Sequence, residues 1–334
     1  MLNEAVTKVD RTMTSARMAC LAAALAGALA LGGCSSPQLL ETGPAVASAR
    51  LTGDHYIAGD GERLAVSHWK AKKPRAIFVA VHGFNEYGGV FRLPAPWFAE
   101  HGISTYAYDQ RGFGRTDEAK RGRWAGGDVM ADDLAGFVGQ VRASHPGLPV
   151  YVIGTSMGGA VAMKAAAGHK LDADGLILVE PAIWGWRSMN PILKTALWVT
   201  AHTVPDQTAT GSQLEIWPSD NIDWLKQYSR DPHIIKQSRF DTLYGLVSLM
   251  DDAAAAAPRL GLPVLYLYGD KDEVVPAEPT RKVMAALGDP KQIRTYPEGF
   301  HMLLHDRQRE TVFKDILQWI EVRPQATPVA GPGG

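Results

Sequence analysis

Five residues constrain this chain more than any others: Gly154-Thr155-Ser156-Met157-Gly158. They follow the apolar run Pro149-Val150-Tyr151-Val152-Ile153 and precede a small-residue helical run that begins at Gly159. A G-x-S-x-G placed between strand and helix is a sharp, strained turn. It lifts the serine hydroxyl above a sheet and points a helix N-terminus at it. The backbone there passes close to its neighbours, so small residues are needed on both sides. Gly154 and Gly158 supply them, and Gly159 lets the helix approach the sheet. Strand and helix signals alternate along the chain, which argues a mostly parallel sheet with right-handed crossovers.

A serine hydroxyl is a weak nucleophile near neutral pH. It needs a base within hydrogen-bond reach, and the base needs an orienting acid. With this turn the chain order is serine, acid, histidine, so both partners are sought C-terminal to Ser156. The strand-like run 262–268 leads into Gly269-Asp270-Lys271-Asp272-Glu273-Val274-Val275-Pro276. The spacing G-x-x-D-x-x-V-P selects Asp272 and leaves Asp270 and Glu273 as solvated loop charge. Glu180, which ends the earlier strand-like run 175–179, is the alternative acid. One further strand, 292–296, is followed by Pro297-Glu298-Gly299-Phe300-His301, making His301 the candidate base and His305 its competitor. His202 and His233 read as surface or cap histidines. Donors for a developing oxyanion contribute several kcal/mol in such chemistry. The candidates are the backbone N–H groups of Met157 and of Phe84, the latter in the loop after the buried run 76–81. His82 reads as a structural brace for that loop.

Five ordered segments carry a family resemblance. They are His82-Gly83-Phe84-Asn85-Glu86-Tyr87-Gly88-Gly89, Tyr108-Asp109-Gln110-Arg111-Gly112-Phe113-Gly114-Arg115-Thr116-Asp117, the Ser156 turn, the Asp272 loop, and Gly299-Phe300-His301-Met302-Leu303-Leu304-His305. Over roughly residues 50–322 the chain resembles the monoacylglycerol lipase and lysophospholipase branch of the α/β-hydrolases, and it is similar to serine aminopeptidase-like hydrolases. The resemblance implies an α/β-hydrolase fold with an inserted helical cap. It also implies hydrolysis of carboxylic esters, with single-chain lipids as substrates, through an acyl-enzyme on Ser156. An aminopeptidase or amidase would use the same triad, with Glu180 or Glu86 to recognise an amine. A non-catalytic ligand-binding lipoprotein is the reading from a different class. Two departures stand out: Phe84 is bulkier than the small residue usual there, and Glu180 places a carboxyl where many relatives have a small or neutral residue. Arg111 has no role beside the nucleophile and is expected to pair with a carboxylate or loop carbonyls.

The net charge is −1, and no basic stretch is interleaved with aromatics, so nucleic acid is not an expected partner. No metal-spaced Cys/His cluster and no G-x-G-x-x-G after a strand occurs, so neither metal nor cofactor is expected. Lys8, Arg11 and Arg17 precede an apolar run from Met18 to about Gly33, shorter than the roughly 20 residues of a transmembrane helix. It fits a signal-peptide core. The run ends Leu31-Gly32-Gly33-Cys34-Ser35-Ser36, which resembles a bacterial lipobox. The expectation is cleavage before Cys34, lipidation of its thiol (palmitate among the chains) and anchorage in the bacterial cell envelope, facing the periplasm from the outer membrane. Met13 is an alternative start to Met1.

The expected organisation is therefore a signal peptide at 1–33, a Ser/Pro/Ala-rich tether at 34–50, the hydrolase domain at 51–322 and a disordered Pro/Gly-rich tail at 323–334. A hairpin is expected across Gly59-Asp60-Gly61, and an amphipathic helix opening at Asp132-Asp133. Residues 181–250 interrupt the alternation and hold Trp184, Trp186, Trp198, Trp217 and Trp224. They read as the cap, with aromatic rings either lining an acyl tunnel and membrane interface or packing the cap onto the body.

Overall fold

The computed structural model describes residues 36–45, 48–168, 171–211 and 216–322. The signal-peptide segment, Cys34 and the tail from residue 323 lie outside the described residues.

Among the described residues, one large sheet runs in the order β1 (Arg50–Thr52), β2 (His55–Ile57), β3 (Arg63–Trp69), β5 (Ile103–Tyr108), β4 (Ala76–Val81), β6 (Val150–Thr155), β7 (Gly175–Val179), β10 (Val264–Gly269) and β11 (Lys291–Tyr296). Every pairing from β5 to β11 is parallel. The pairings among β1, β2, β3 and β5 are antiparallel. The sheet is thus mostly parallel, as the alternating pattern predicts. β4 and β7 are apolar and buried at every position because helices cover both of their faces. On one face Val79, Val152, Leu178 and Tyr266 pack with Leu134 of α2 (Gly127–Ser144), Val161 of α3 (Met157–Gly168) and Leu249 of α6 (Phe240–Ala256). On the other, Phe78, Ile153 and Leu265 pack with Phe98 of α1 (Pro94–Glu100) and with Phe313 and Ile316 of the C-terminal helix Arg309–Glu321. The parallel strands β4, β6, β7 and β10 therefore all end at one edge of the sheet, where ligands bind in open α/β sheets.

Several boundaries differ from the sequence reading, each through a contact distant in sequence. The hairpin forms as β2 and β3, but the expected tether does not stay free of the body. Leu40 is buried and its N–H bonds the Trp124 carbonyl at 2.7 Å, while Arg50–Thr52 adds a strand to the sheet edge. The helix expected at Asp132 begins earlier, at Gly127, so Asp128 occupies its first turn and Asp133 is buried. Between β7 and β10 the inserted segment holds α4 (Pro191–Thr203), a ribbon of β8 (Thr208–Ala209) with β9 (Ser238–Arg239), and α5 (Ile222–Arg230). The expected cap boundary at residue 250 falls inside α6. That helix buries Leu246, Leu249 and Ala253 against the body at helical spacing, so the segment above the sheet ends where α6 begins.

Asp133 is buried because Arg111 needs it. The Arg111 guanidinium, 6% exposed, bonds Asp133 at 2.6 and 2.8 Å and Asp60 of the hairpin turn at 2.6 and 2.9 Å. Two carboxylates grip one planar fork bidentately, joining the hairpin, the loop after β5 and α2. Arg111→Ala leaves two carboxylates without their counter-charge and is expected to lower unfolding free energy by about 3–5 kcal/mol. Arg111→Lys should recover little of it, because an ammonium cannot form two forks. Urea denaturation reads the effect; an unchanged midpoint in the Ala variant would reject the clamp.

Candidate active site

Ser156 sits between β6 and α3 with φ 49°, in the left-handed region that side chains avoid. Such a conformation costs on the order of 1–3 kcal/mol and persists where neighbours enforce it. The Ser156 N–H donates to the Val179 carbonyl at 3.0 Å, and its own carbonyl accepts from Ala182 N–H at 2.9 Å. A Cβ on Gly158 would lie 2.1 Å from the Val81 carbonyl oxygen, and one on Gly154 would lie 2.6 Å from that of Gly158. Both glycines are therefore required by close approach, as the sequence reading proposes.

His301 and Asp272 come from the loops after β11 and β10. Asp272 Oδ2 lies 2.8 Å from His301 Nδ1, while Oδ1 accepts the N–H groups of Val274 at 2.7 Å and Val275 at 3.0 Å. A carboxylate at Nδ1 holds the proton there and leaves Nε2 as the basic atom of the ring. Burial alone would push the Asp272 carboxyl toward its neutral form; the charge and hydrogen bond of His301, with the two backbone donors, outweigh it and hold the carboxyl below its ordinary range. Asp270 and Glu273 are exposed. Ser156 and His301 line one pocket, together with Glu86, Thr155, Val179 and the Met302-Leu303-Leu304-His305 run. Glu180 does not take Asp272's place. It is buried at the end of β7, accepts the Gly269 N–H through Oε1 and reaches the Asp272 carboxyl.

The loop after β4 runs beside the serine: a Cβ on Gly83 would stand 3.4 Å from Ser156 Cβ. Phe84 follows it and meets Phe113 edge-on at 5.6 Å, while Met157 opens α3. His82 fixes this loop. Gln110 N–H donates to its Nε2 at 2.9 Å, so the ring proton is on Nδ1, which donates to the Gly83 carbonyl at 2.8 Å.

Residues 72–308 match the family described as serine aminopeptidase, S33. The chain belongs to this family. It is 28% identical to a monoacylglycerol lipase of Mycolicibacterium smegmatis across 80% of this chain and 96% of that protein. It is 27% identical to the monoglyceride lipase of Homo sapiens across 83% of this chain and 93% of that protein. The crystal structure of a Paleococcus ferrophilus monoacylglycerol lipase superposes with a TM-score of 0.66 at 21% identity, covering 77% of this chain and 98% of that one. The fold is accordingly that of the α/β-hydrolases, with a mostly parallel sheet between helical layers.

Within this hydrolase, the cap packs on two of the pocket-lining residues, through Trp224, one of the five cap tryptophans, and through Tyr228, which the sequence reading did not single out. Tyr228 of α5 hydrogen-bonds Glu86, whose Oε2 also accepts the Gly83 N–H at 2.8 Å. Burial pushes the Glu86 carboxyl above its ordinary range, against the pull of Gly83, His301 and Tyr228. Trp224, one helical turn before Tyr228, stacks on His305 at 4.3 Å. The spacing of these two aromatics on α5 was visible; the ring and carboxyl they would meet were not. His305 Nε2 lies 3.0 Å from the Val90 carbonyl, which makes the ring a buried donor rather than a base.

Burial pushes His82 and His305 down to about 4 from an ordinary 6.5. Unfolding frees each ring to take a proton below 6.5, so stability is complete above that pH and falls as pH drops toward 4. Each ring adds a slope of up to about 1.4 kcal/mol per pH unit within that window. Urea unfolding across it should show a shallower fall in His305→Gln than in the wild type. Parallel falls would reject the neutral, buried state of His305.

Proposed function

We propose that Ser156, His301 and Asp272 are the catalytic triad of an esterase acting on single-chain lipids, a monoacylglycerol or a lysophospholipid. The chain is a carboxylic ester hydrolase, whose relatives named above are monoacylglycerol lipases. The observation that carries the finer reading is the pocket itself. Ser156 and an Asp272-tethered His301 share it with the apolar Val179, Met302, Leu303 and Leu304. In the proposed cycle Ser156 Oγ attacks the ester carbonyl carbon and its proton passes to His301 Nε2. The N–H groups of Phe84 and Met157 hold the oxyanion. His301 returns the proton to the leaving alkoxide, the alcohol departs, and an acyl-enzyme remains. Water then loses a proton to His301 as it attacks the acyl carbon; the carboxylic acid leaves and Ser156 regains its proton.

Glu86 favours ester over amine recognition. Its carboxyl is committed to Gly83 N–H and Tyr228 and is biased by burial toward the neutral form, which makes it a poor partner for a substrate ammonium. The cap surface fits a lipid-borne substrate: Ile192, Leu193, Trp198 and Trp217 are 78, 51, 45 and 57% exposed. Trp224 and Trp186 instead pack inward, on His305 and on Tyr244.

Ser156→Ala should abolish turnover of p-nitrophenyl esters and fluorophosphonate labelling, and Asp272→Asn should lower kcat by about 10⁴-fold. Activity should peak at medium or long acyl chains and extend to monoacylglycerol or lysophospholipid. Cleavage of an aminoacyl-p-nitroanilide with inert esters would replace the reading with an aminopeptidase; Ser156 unlabelled in folded protein would replace it with a binding protein. We further propose lipid attachment at Cys34 and a periplasm-facing outer-membrane location. Labelled palmitate should enter the wild-type chain and not Cys34→Ala; equal labelling of both would reject the anchor.

A further inference from the structure

Glu180 occupies the turn after β7 with φ 46°, left-handed although it carries a side chain. Its N–H donates to the Leu267 carbonyl at 3.0 Å, and the preceding carbonyl, of Val179, accepts from Ser156. The residue is therefore pinned between the strand end that leads to the nucleophile and the strand end that leads to Asp272. Its side chain is 1% exposed. Oε1 accepts the Gly269 N–H, but Oε2 is buried and receives no donor. An ionised oxygen left so would be costly.

The group in hydrogen-bonding contact with this carboxyl is the Asp272 carboxyl. Two buried carboxyls in contact cannot both be charged. Asp272 already has three donors, the N–H groups of Val274 and Val275 and the His301 ring, whereas Glu180 has Gly269. The shared proton therefore belongs on Glu180. Burial first, and then the charge of Asp272, push the Glu180 carboxyl toward its neutral form, while Asp272 is held toward its ionised form. The other titratable groups that face this carboxyl are Asp306 after His301 and the phenols of Tyr266 and Tyr268 on β10, both kept neutral by burial.

We propose that Glu180 is a positioning residue for the Asp272–His301 pair, a neutral acid that donates its Oε2 hydrogen to the Asp272 carboxylate. The proposal rests on the triad reading above. A fourth hydrogen bond fixes the plane of Asp272 toward His301 Nδ1. It also draws charge from Asp272, so the His301 imidazolium is stabilised less than a bare carboxylate would stabilise it, and the base stays free at lower pH.

The test is kcat, KM and the pH profile of kcat/KM for the full chain on a medium-chain p-nitrophenyl ester. Glu180→Gln offers an amide oxygen to Gly269 and an amide N–H to Asp272, so kcat should stay within about twofold and the acidic limb should not move. Glu180→Met keeps the length and offers neither; its kcat should fall severalfold at similar KM, and the acidic limb should rise by roughly one pH unit. Loss of activity in the folded Gln variant, or an unmoved acidic limb in the folded Met variant, would overturn the proposal. Should the Met variant not fold, the Gln variant decides alone. Activity that survives Asp272→Asn while Glu180→Gln abolishes it would overturn the triad reading itself, an outcome distinct from both.

Discussion

The left-handed turn at Ser156 depends on three elements meeting at van der Waals distance. The end of β4, the end of β6 and the first turn of α3 approach until no side chain fits at Gly154 or Gly158. The turn is not stable by local preference, since a serine with φ 49° is strained on its own. It is held by the sheet: Val179 on β7 takes the Ser156 N–H, and the Ser156 carbonyl takes donors from Ala160 and Ala182. The two apolar layers that bury β4, β6 and β7 therefore do more than stabilise a domain. They supply the rigidity that lets one hydroxyl stand in a conformation the chain would otherwise leave.

Around that point, burial sorts identical side chains into different states. His82 and His305 are enclosed and each is tied to a backbone carbonyl, so the neutral ring is favoured. His301 is instead paired with a carboxylate whose own charge is secured by two backbone N–H groups. The same logic separates the acids. Asp272 has enough donors to remain ionised when buried, while Glu86 and Glu180 do not, and both are pushed toward the neutral form. Position along the chain does not predict this; the count of donors around each group does.

The legible part of the site was the part encoded locally. Ser156 and Asp272 each follow a buried strand and His301 the edge strand β11 within a few residues, and turn geometry demands glycines or a fixed spacing there, so pattern and place coincide. The resemblance to a known branch of hydrolases came from the same segments. Tyr228 was not legible and Trp224 only as a cap tryptophan, because the sequence of α5 does not show the Glu86 and His305 that these rings meet. Leu40 and β1 were missed for a related reason: a Ser/Pro/Ala-rich stretch reads as solvated until a partner such as the Trp124 backbone is known. The cap's end was misplaced because α6 continues the inserted segment in sequence while its apolar side belongs to the body.

Two carboxyls that burial pushes toward the neutral form, beside one held ionised, bear on which substrate such a pocket can hold. Each additional anion near His301 would stabilise its imidazolium and withdraw the base at neutral pH. Each would also attract a cationic amine into the pocket. With Glu86 and Glu180 both biased by burial toward the neutral form, Asp272 is the carboxylate secured beside His301, while Glu86 faces the Gly83 N–H and Tyr228 and Glu180 the Gly269 N–H. An apolar wall of Val179, Met302, Leu303 and Leu304 completes it. An uncharged ester with an acyl chain meets a far smaller desolvation cost there than an ammonium, which would lose its hydration without gaining a full counter-charge.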